Sequence, residues 1–476
     1  MSNPKSIRIM NKHIFTRSFA AVAMLLVTSV LYSQSSVSGY FVEGFSSRYQ
    51  FNPAFSPQRN AIFGLGINNI HTELQSTVGA SDFLFDSKSK PNMLTTFMSP
   101  EVDADTFLDG LPNVAKFKFG YDMDLFTLGI GGKNGYTIFD IKARINMELG
   151  LPKDLFGFMK AGLATGNYLI EDTHVNTTSF VEVGLSHSHK VIDNLNIGLT
   201  LKYLEGAAYV DGNIDQIDAQ LSEDAWRVNT KGTVKASVPG VRYKYDEETG
   251  ALSGVEEYQF NSTDIPTNGG FAVDLGAEYD LQDVVEGLKV SASISDLGFI
   301  KWNNLYTFAT DYDEYVEFKG FNQYDIDNPD DDKTIENLGD AFKDMIRLYP
   351  TEKNASETVG LDATFRLGAE YNLPFAQWIS AGELLTYRTG FWPYFSSLTS
   401  VCLSPTDWFD FTGNIGFSSY GTSFGFMMNV HPAVFNMFIA VDKLSAKFNP
   451  QFVPVEEFGV NVSLGISLAF GQRRDK

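Results

Sequence analysis

The chain has 476 residues and a formal net charge of −22, with 43% hydrophobic residues, 41 glycines, 40 phenylalanines, 21 tyrosines and one cysteine, Cys402. So acidic a chain excludes nucleic acid as a partner, because phosphate binding draws on a basic surface. No 20-residue apolar span follows residue 33, which excludes a helical membrane protein, and one cysteine leaves the sheet itself to hold the fold.

Lys5, Arg8, Lys12 and Arg17 precede the apolar run Phe19–Tyr32, and small residues follow. This pattern predicts a secretory signal peptide over residues 1–33, the run being too short to span a bilayer. No cysteine follows it, so it is not a lipoprotein signal. Residues 34–60 contain "EGFSSRYQFNPAFSPQRN". Pro53 and Pro57 forbid regular strand pairing there, so the segment is expected as an N-terminal plug or as a periplasmic stretch.

From Ala61 the chain alternates. "AIFGLGINNI" (61–70) is the expected first strand, and "KFKFGYDMD", "GYTIFDIKARINMELG", "SFVEVGLSHS" and "LNIGLTLKYLEG" follow. Later pairs are "GFAVDLGAEYD" with "LKVSASISDLGF" and "ATFRLGAEYN" with "WISAGELLTYRTG", and four more strands lie between Ser396 and Val441. Successive side chains of a strand face opposite ways. In the strand from Tyr136, Phe139, Ile141, Ala143 and Ile145 thus share one face, and Asp140, Lys142, Arg144 and Glu148 the other. About ten residues at ~3.3 Å, tilted ~45°, rise roughly 23 Å, close to the apolar band of an outer-membrane barrel. Strands of soluble sandwiches are shorter. The fold class expected is all-β: a transmembrane antiparallel β-barrel of about fourteen strands with an N-terminal plug.

With the C-terminus taken as periplasmic, the long connections all fall on the external side: 72–115, 150–177, 212–269 and 303–361. The barrel then occupies 61–471 and a periplasmic tail 472–476. The alternating segment Val228–Val238 is expected as a hairpin in an external loop. Tyr203, Tyr279, Tyr371, Tyr387 and Trp408 are placed for interfacial girdles. The register sends Asp140, Lys142, Arg144, Glu148, Glu182, Lys202, Asp274, Glu278, Arg366, Glu370, Arg388 and Asp410 into the lumen, since lysine or arginine facing lipid costs roughly 2–4 kcal/mol. Mixed signs inside a barrel predict an ion-pair network against a plug, or a path for a polar solute. Glu383 falls on the apolar face, so a bulge or a register shift is expected there.

The loop "YDIDNPDDDKTIENLGD" offers Asp325, Asp327, Asp330 and Asp332 as oxygen ligands for Ca²⁺. It lacks the turn glycine of an EF-hand loop, and Pro329 intrudes; a solvated acidic loop with no cofactor is the plainer expectation. Ile335, Leu338, Phe342, Met345, Ile346 and Tyr349 then recur at helical spacing, as in an amphipathic helix at the barrel mouth. "SHSH" (186–189) sets serine beside histidine, but adjacent strand residues face opposite ways. The sequence holds no P-loop or zinc spacing. The chain is not expected to be an enzyme.

The last strand, "NVSLGISLAFGQ", carries Ser463, Gly465, Leu468 and Phe470 in an order that resembles the C-terminal signal read by the barrel-assembly machinery. It departs from that signal in that "GQRRDK" follows Leu468-Ala469-Phe470. Asn52, Pro53 and Ala54, ahead of the first strand, resemble the FadL-type outer-membrane channels, which include fatty-acid transporters and the PorV shuttle of type IX secretion. That resemblance implies a fourteen-stranded plugged barrel in the outer membrane of a Gram-negative bacterium, acting as a channel or transporter for a small hydrophobic or polar solute. The alternative it implies is a non-conducting PorV-like scaffold or shuttle with secretion-system proteins as partners. Outer-membrane lipid and the assembly machinery are the other partners implied.

Overall fold

The computed structural model describes residues 37–90, 93–161, 166–222, 226–258, 267–311, 316–318, 347–419, 421–444 and 458–473. The expected signal peptide, the candidate calcium ligands Asp325, Asp327, Asp330 and Asp332, and the helical pattern from Ile335 to Ile346 lie outside them.

In chain order, β1 (Arg59–Leu65) and β2 (Ile70–Ser76) are followed by α1 (Ala80–Phe83), the small hairpin β3 (Leu84–Asp86) and β4 (Leu94–Thr96), and α2 (Ala104–Asp109). Next come β5 (Val114–Gly131), β6 (Gly135–Pro152), α3 (Lys153–Ala161), β7 (Gly166–Ile192) and β8 (Leu195–Leu221). β9 (Trp226–Ser237), β10 (Val241–Tyr245) and β11 (Leu252–Tyr258) precede β12 (Asn268–Asp280), β13 (Leu288–Ala309), β14 (Val316–Phe318), β15 (Tyr349–Gly360) and β16 (Thr364–Asn372). The chain ends through β17 (Ile379–Arg388), β18 (Tyr394–Thr406), β19 (Phe409–Ser418), β20 (Gly421–Val430), β21 (Phe435–Leu444) and β22 (Phe458–Arg473).

Antiparallel pairing joins all of these strands except the separate hairpins β3–β4 and β10–β11 into one sheet that closes as a ring of fourteen staves. β1 and β2 together form the first stave, paired with β5 on one side and with β22 on the other, which shuts the ring. β15 and β16 likewise share one stave alongside β13. The short turns at 132–134, 193–194, 281–287, 373–378, 407–408 and 431–434 gather at one end of the barrel, with the end of β22; the long connections gather at the other.

The two faces are inverted relative to a soluble protein. On β8, Leu199 and Leu201 are 40% and 53% exposed, while Thr200 and Lys202 between them are 4% and 7% exposed. Phe139, Leu185, Phe271, Leu297, Leu367 and Phe426 continue the exposed apolar belt around the wall. The aromatic expectation fits this belt: Tyr279, Tyr371 and Trp408 are exposed near the turn end, and Tyr203 and Tyr387 farther up. This partition defines a transmembrane barrel.

Three expectations are corrected. The staves run longer than apolar alternation implied: β7 and β8 have 27 residues each, extending into the stretches expected as loops at 150–177 and 212–269. Their pairing continues where the outer face turns polar, so an apolar criterion stops too early. The segment Val228–Val238 is not a hairpin of its own. It forms β9, which lies between the upper part of β8 and the upper part of β13; the hairpin is β10–β11, which follows it. Finally, β17 pairs with β16 and β18 without any shift of register at Glu383. Glu383 therefore does lie on the outer face with Leu385, and hydroxyls of Ser397 and Thr399 on β18 donate to its carboxylate, the latter at 2.6 Å.

Candidate functional site: a plugged lumen under a polar vestibule

Residues 37–58 fold into the lumen as the plug. Short 3-10 turns at Val37–Gly39 and Arg48–Gln50 give it shape. Tyr40, Phe41, Val42, Phe45, Phe51 and Phe55 form its apolar side and pack with Leu384, Leu398, Cys402, Met427, Phe438 and Ala440 of the wall. Arg48 lies 4.2 Å from the Phe55 ring centroid, and its Nε donates to the Tyr40 carbonyl at 2.9 Å. That lining of β17–β21 makes one half of the lumen greasy.

Polar anchors tie the plug to strands around the ring. Asn52, fully buried, donates from Nδ2 to the carbonyls of Ala277 and Ala292 at 3.1 and 3.3 Å. Its Oδ1 accepts from the Ala54 amide at 3.0 Å. Pro53 lies against Gly198, where a Cβ would strike the Pro53 backbone, and Asn52 occupies the space a Cβ on Gly276 would need. The motif Asn52-Pro53-Ala54 is thus the lock of the plug, and the small residues opposite the apolar face are its keyway. Gln50 donates to Asp124 at 2.8 Å, Lys289 pairs with Glu43 at 2.8 Å, and Asn436 donates to the Gly44 carbonyl at 2.9 Å. Ser38 is held by Asp442 and Asn414.

The other half of the lumen is ionic. Glu182 on β7 lies 3.4 Å from Lys142, 3.1 Å from Arg144 and 3.6 Å from Lys202. Arg144 also forms a two-pronged pair with Asp296 at 2.9 and 3.1 Å and reaches Asp122 at 3.3 Å. Lys202 reaches Asp274 at 2.8 Å and Asp296 at 2.7 Å, and Lys142 reaches Asp140 at 3.7 Å. Buried charges need such mutual compensation, because leaving one unpaired costs several kcal/mol.

Six of the twelve charges expected in the lumen therefore meet in one network: Asp140, Lys142, Arg144, Glu182, Lys202 and Asp274. The others face inward but apart from it. Glu148 pairs with Lys118 at 3.7 Å, and Glu278 accepts from Asn196 at 3.1 Å. Arg388 pairs with Asp362 at 3.3 Å, and Arg366 donates to Ser295 at 3.0 Å. Glu370 is buried near the turn end. Asp410 accepts from Ser404 at 2.7 Å and Asn429 at 2.9 Å, with the His431 ring at 2.9 Å. Asp122, Asp124 and Asp296 belong to the lumen as well, although they were not among the expected residues.

A bulge on β13 explains Asp296. Ser295 and Asp296 together oppose Asp274, and Asp296 adopts a left-handed backbone with φ +61°. An extra residue in one strand shifts the alternation by one, so both Ser295 and Asp296 turn inward; aspartate tolerates that backbone better than most residues. Asp122 and Asp124 needed no such device, since they alternate with Tyr121 and Met123 along β5.

Above the plug, the lumen opens toward the loop end into two adjoining hollows that share Arg144, Asp296 and Arg388. Gln50 of the plug forms part of the floor, with Arg144 and Asp296 on one wall and Arg366, Thr386 and Arg388 on the other. Tyr209, Trp302 and His174 line the upper part.

On the closing strand, Ser463 lies 2.8 Å from His71 Nδ1, and Gly465 faces inward where a Cβ would strike the Asn68 carbonyl. Leu468 and Phe470 point outward. "SHSH" places Ser186 and Ser188 inside and His187 and His189 outside, so no serine–histidine pair forms within that motif.

A closed fourteen-stranded barrel, apolar outside, plugged within and hollow above the plug, is a plugged transmembrane β-barrel. The chain belongs to the family described as "Family of unknown function (DUF5723)", whose model matches residues 53–442, from the plug motif to β21. No curated protein matches the chain. Among solved structures it is similar to the toluene transporter TodX of Pseudomonas putida, at 8% identity over 90% of this chain and 94% of that one, with a TM-score of 0.40. The toluene transporter TbuX of Ralstonia pickettii matches at 10% identity over 90% and 93%, TM-score 0.39. A FadL homologue of Pseudomonas aeruginosa matches at 10% identity over 88% and 91%, TM-score 0.38. Likeness at this level carries no argument on its own; the ring in this chain rests on its own strand pairing.

Proposed function

We propose that this protein resides in the outer membrane of a Gram-negative bacterium and passes a small polar solute across it, the plug serving as the gate. The observation that carries the reading is the vestibule: a water-accessible, charge-lined hollow that ends on a separate N-terminal segment instead of on the wall. A hollow of that kind gives a solute a place to wait, and a tethered segment beneath it gives the passage a part able to move. The loop end then faces outward and the short turns face the periplasm, as in other barrels of this build. The pattern Ser463, Gly465, Leu468 and Phe470 serves as the signal to the barrel-assembly machinery. The ionic half of the lumen favours a polar cargo over a long acyl chain.

A second reading has its own support. The plug is bonded to β5, β12, β13, β19 and β21, and so firm a seat suits a non-conducting scaffold or shuttle for secretion-system proteins. Liposome flux distinguishes the two. Reconstituted full-length mature protein that admits small sugars or amino acids faster than protein-free vesicles supports transport. Flux at the protein-free level, together with co-purification of secretion components, overturns transport and supports the scaffold.

A further inference from the structure

The vestibule contains one cation that the wall leaves without a carboxylate. Arg366 enters it from β16, donating to the neutral Ser295 hydroxyl at 3.0 Å, with Phe51 of the plug 5.8 Å from its guanidinium carbon. Among the described residues no carboxylate lies within 4.0 Å of that guanidinium, and its Nε has no hydrogen-bond partner. The neighbouring cations differ: Arg144, Lys142, Lys202 and Arg388 each lie within 4.0 Å of a carboxylate. Asp296 and Asp274 act on it only from beyond 4.0 Å, so its guanidinium can take a counter-ion from the hollow at contact distance.

The strand register builds a corner around it. Arg366 lies opposite Thr386, and Arg388 lies one step along opposite Thr364. Side chains at such diagonal positions stand roughly 7–8 Å apart. The Nε of Arg388 also has no hydrogen-bond partner, although its Nη2 is engaged by Asp362. Two guanidiniums with unused N–H groups, flanked by threonine hydroxyls, match the donor set a carboxylate accepts from.

We propose that this corner binds the carboxylate of a small organic monoanion above the plug, an assignment that rests on reading the vestibule as a solute's waiting place and names the class of solute. One unmatched guanidinium calls for one negative charge; a second would face Asp296 and Asp362 in the same hollow. The planar fork of arginine favours a planar carboxylate over a tetrahedral dianion.

The test uses full-length mature protein in detergent micelles, with saturation-transfer NMR titrations of propionate, its neutral isostere propionamide, and inorganic phosphate. Propionate is expected to bind saturably and propionamide not to compete with it. Arg366→Gln is expected to weaken propionate at least tenfold, since hydrogen bonds to a charged partner are among the stronger ones. Ser295→Asp keeps the arginine and supplies an internal carboxylate beside it, so it is expected to weaken propionate as much. It also decides the matter if Arg366→Gln does not assemble. Wild-type affinity in a folded Ser295→Asp or Arg366→Gln barrel overturns the proposal, as does tighter binding of phosphate or equal competition by propionamide. Propionate uptake into liposomes is read separately: binding without uptake removes the passage and keeps the binding corner.

Discussion

Gly276→Val is expected to unseat the plug while sparing the barrel. Valine suits a strand, and Gly276 pairs in register with Gly198 on β8 and Ser293 on β13. A side chain there must occupy the place of Asn52 Oδ1, and its Cβ would also lie 2.8 Å from Pro53 Cδ. Asn52 then gives up its bonds to the Ala277 and Ala292 carbonyls. Each is worth about 1 kcal/mol, and stranding the buried amide adds about 1–3 kcal/mol. A loss of about 3 kcal/mol raises the unseated population more than a hundredfold. Cys402 supplies the assay: it is the chain's one cysteine, 4% exposed, and packs with the apolar side of the plug. Maleimide labelling of the folded barrel should be slow in the wild type and about a hundredfold faster in Gly276→Val, provided the plug reseats faster than the thiol reacts. Gly413→Val, at a position with nothing within 4 Å of a Cβ, should label at the wild-type rate. An unchanged rate in a Gly276→Val barrel that still migrates as folded on an unheated gel would refute the reasoning.

Glu182→Gln leaves Lys142, Arg144 and Lys202 short of a shared counter-charge, and breaking a buried network this way should lower stability by about 3–5 kcal/mol in urea titrations of barrels in lipid vesicles. Leu367→Lys puts an ammonium on the apolar outer face, at a residue that is 59% exposed, so the folded fraction recovered in vesicles should drop by an amount equivalent to roughly 2–4 kcal/mol. Glu383→Leu works in the opposite sense. It removes a lipid-facing carboxylate and should raise the urea midpoint by an amount worth about 1–2 kcal/mol; a lower midpoint would mean that the bonds from Ser397 and Thr399 outweigh the cost of placing the acid in hydrocarbon.

The alternation of Leu199, Thr200, Leu201 and Lys202 was enough to read the inverted barrel, because a strand's period of two leaves no freedom about which residues share a face. Loop spacing gave the number of staves, since every return of the chain costs a turn whose residues break the alternation. Half of the expected lumen charges meet in the network around Glu182 for the same reason. Asp296 was hidden because the bulge at Ser295–Asp296 changes the phase, and a phase change is invisible until the partner strand is known. Glu383 misleads in the opposite way: a carboxylate on an apolar face looks like a slip in register, yet two hydroxyls on β18 give it bonding partners where it stands. The lengths of β7 and β8 are not legible because their upper halves lack an apolar outer face to announce them. The orphaned guanidinium of Arg366 is a statement about which carboxylates do not reach it, and only a folded chain contains that information.

Strands of 27 residues have a consequence for where the protein meets its surroundings. At ~3.3 Å per residue and ~45° of tilt they climb roughly 60 Å, against about 25 Å for the apolar band. With β9 continuing the wall beside them, that side of the barrel becomes a funnel standing well clear of the bilayer. Anything approaching the entrance would therefore first touch a raised collar of polar sheet well above the lipid headgroups.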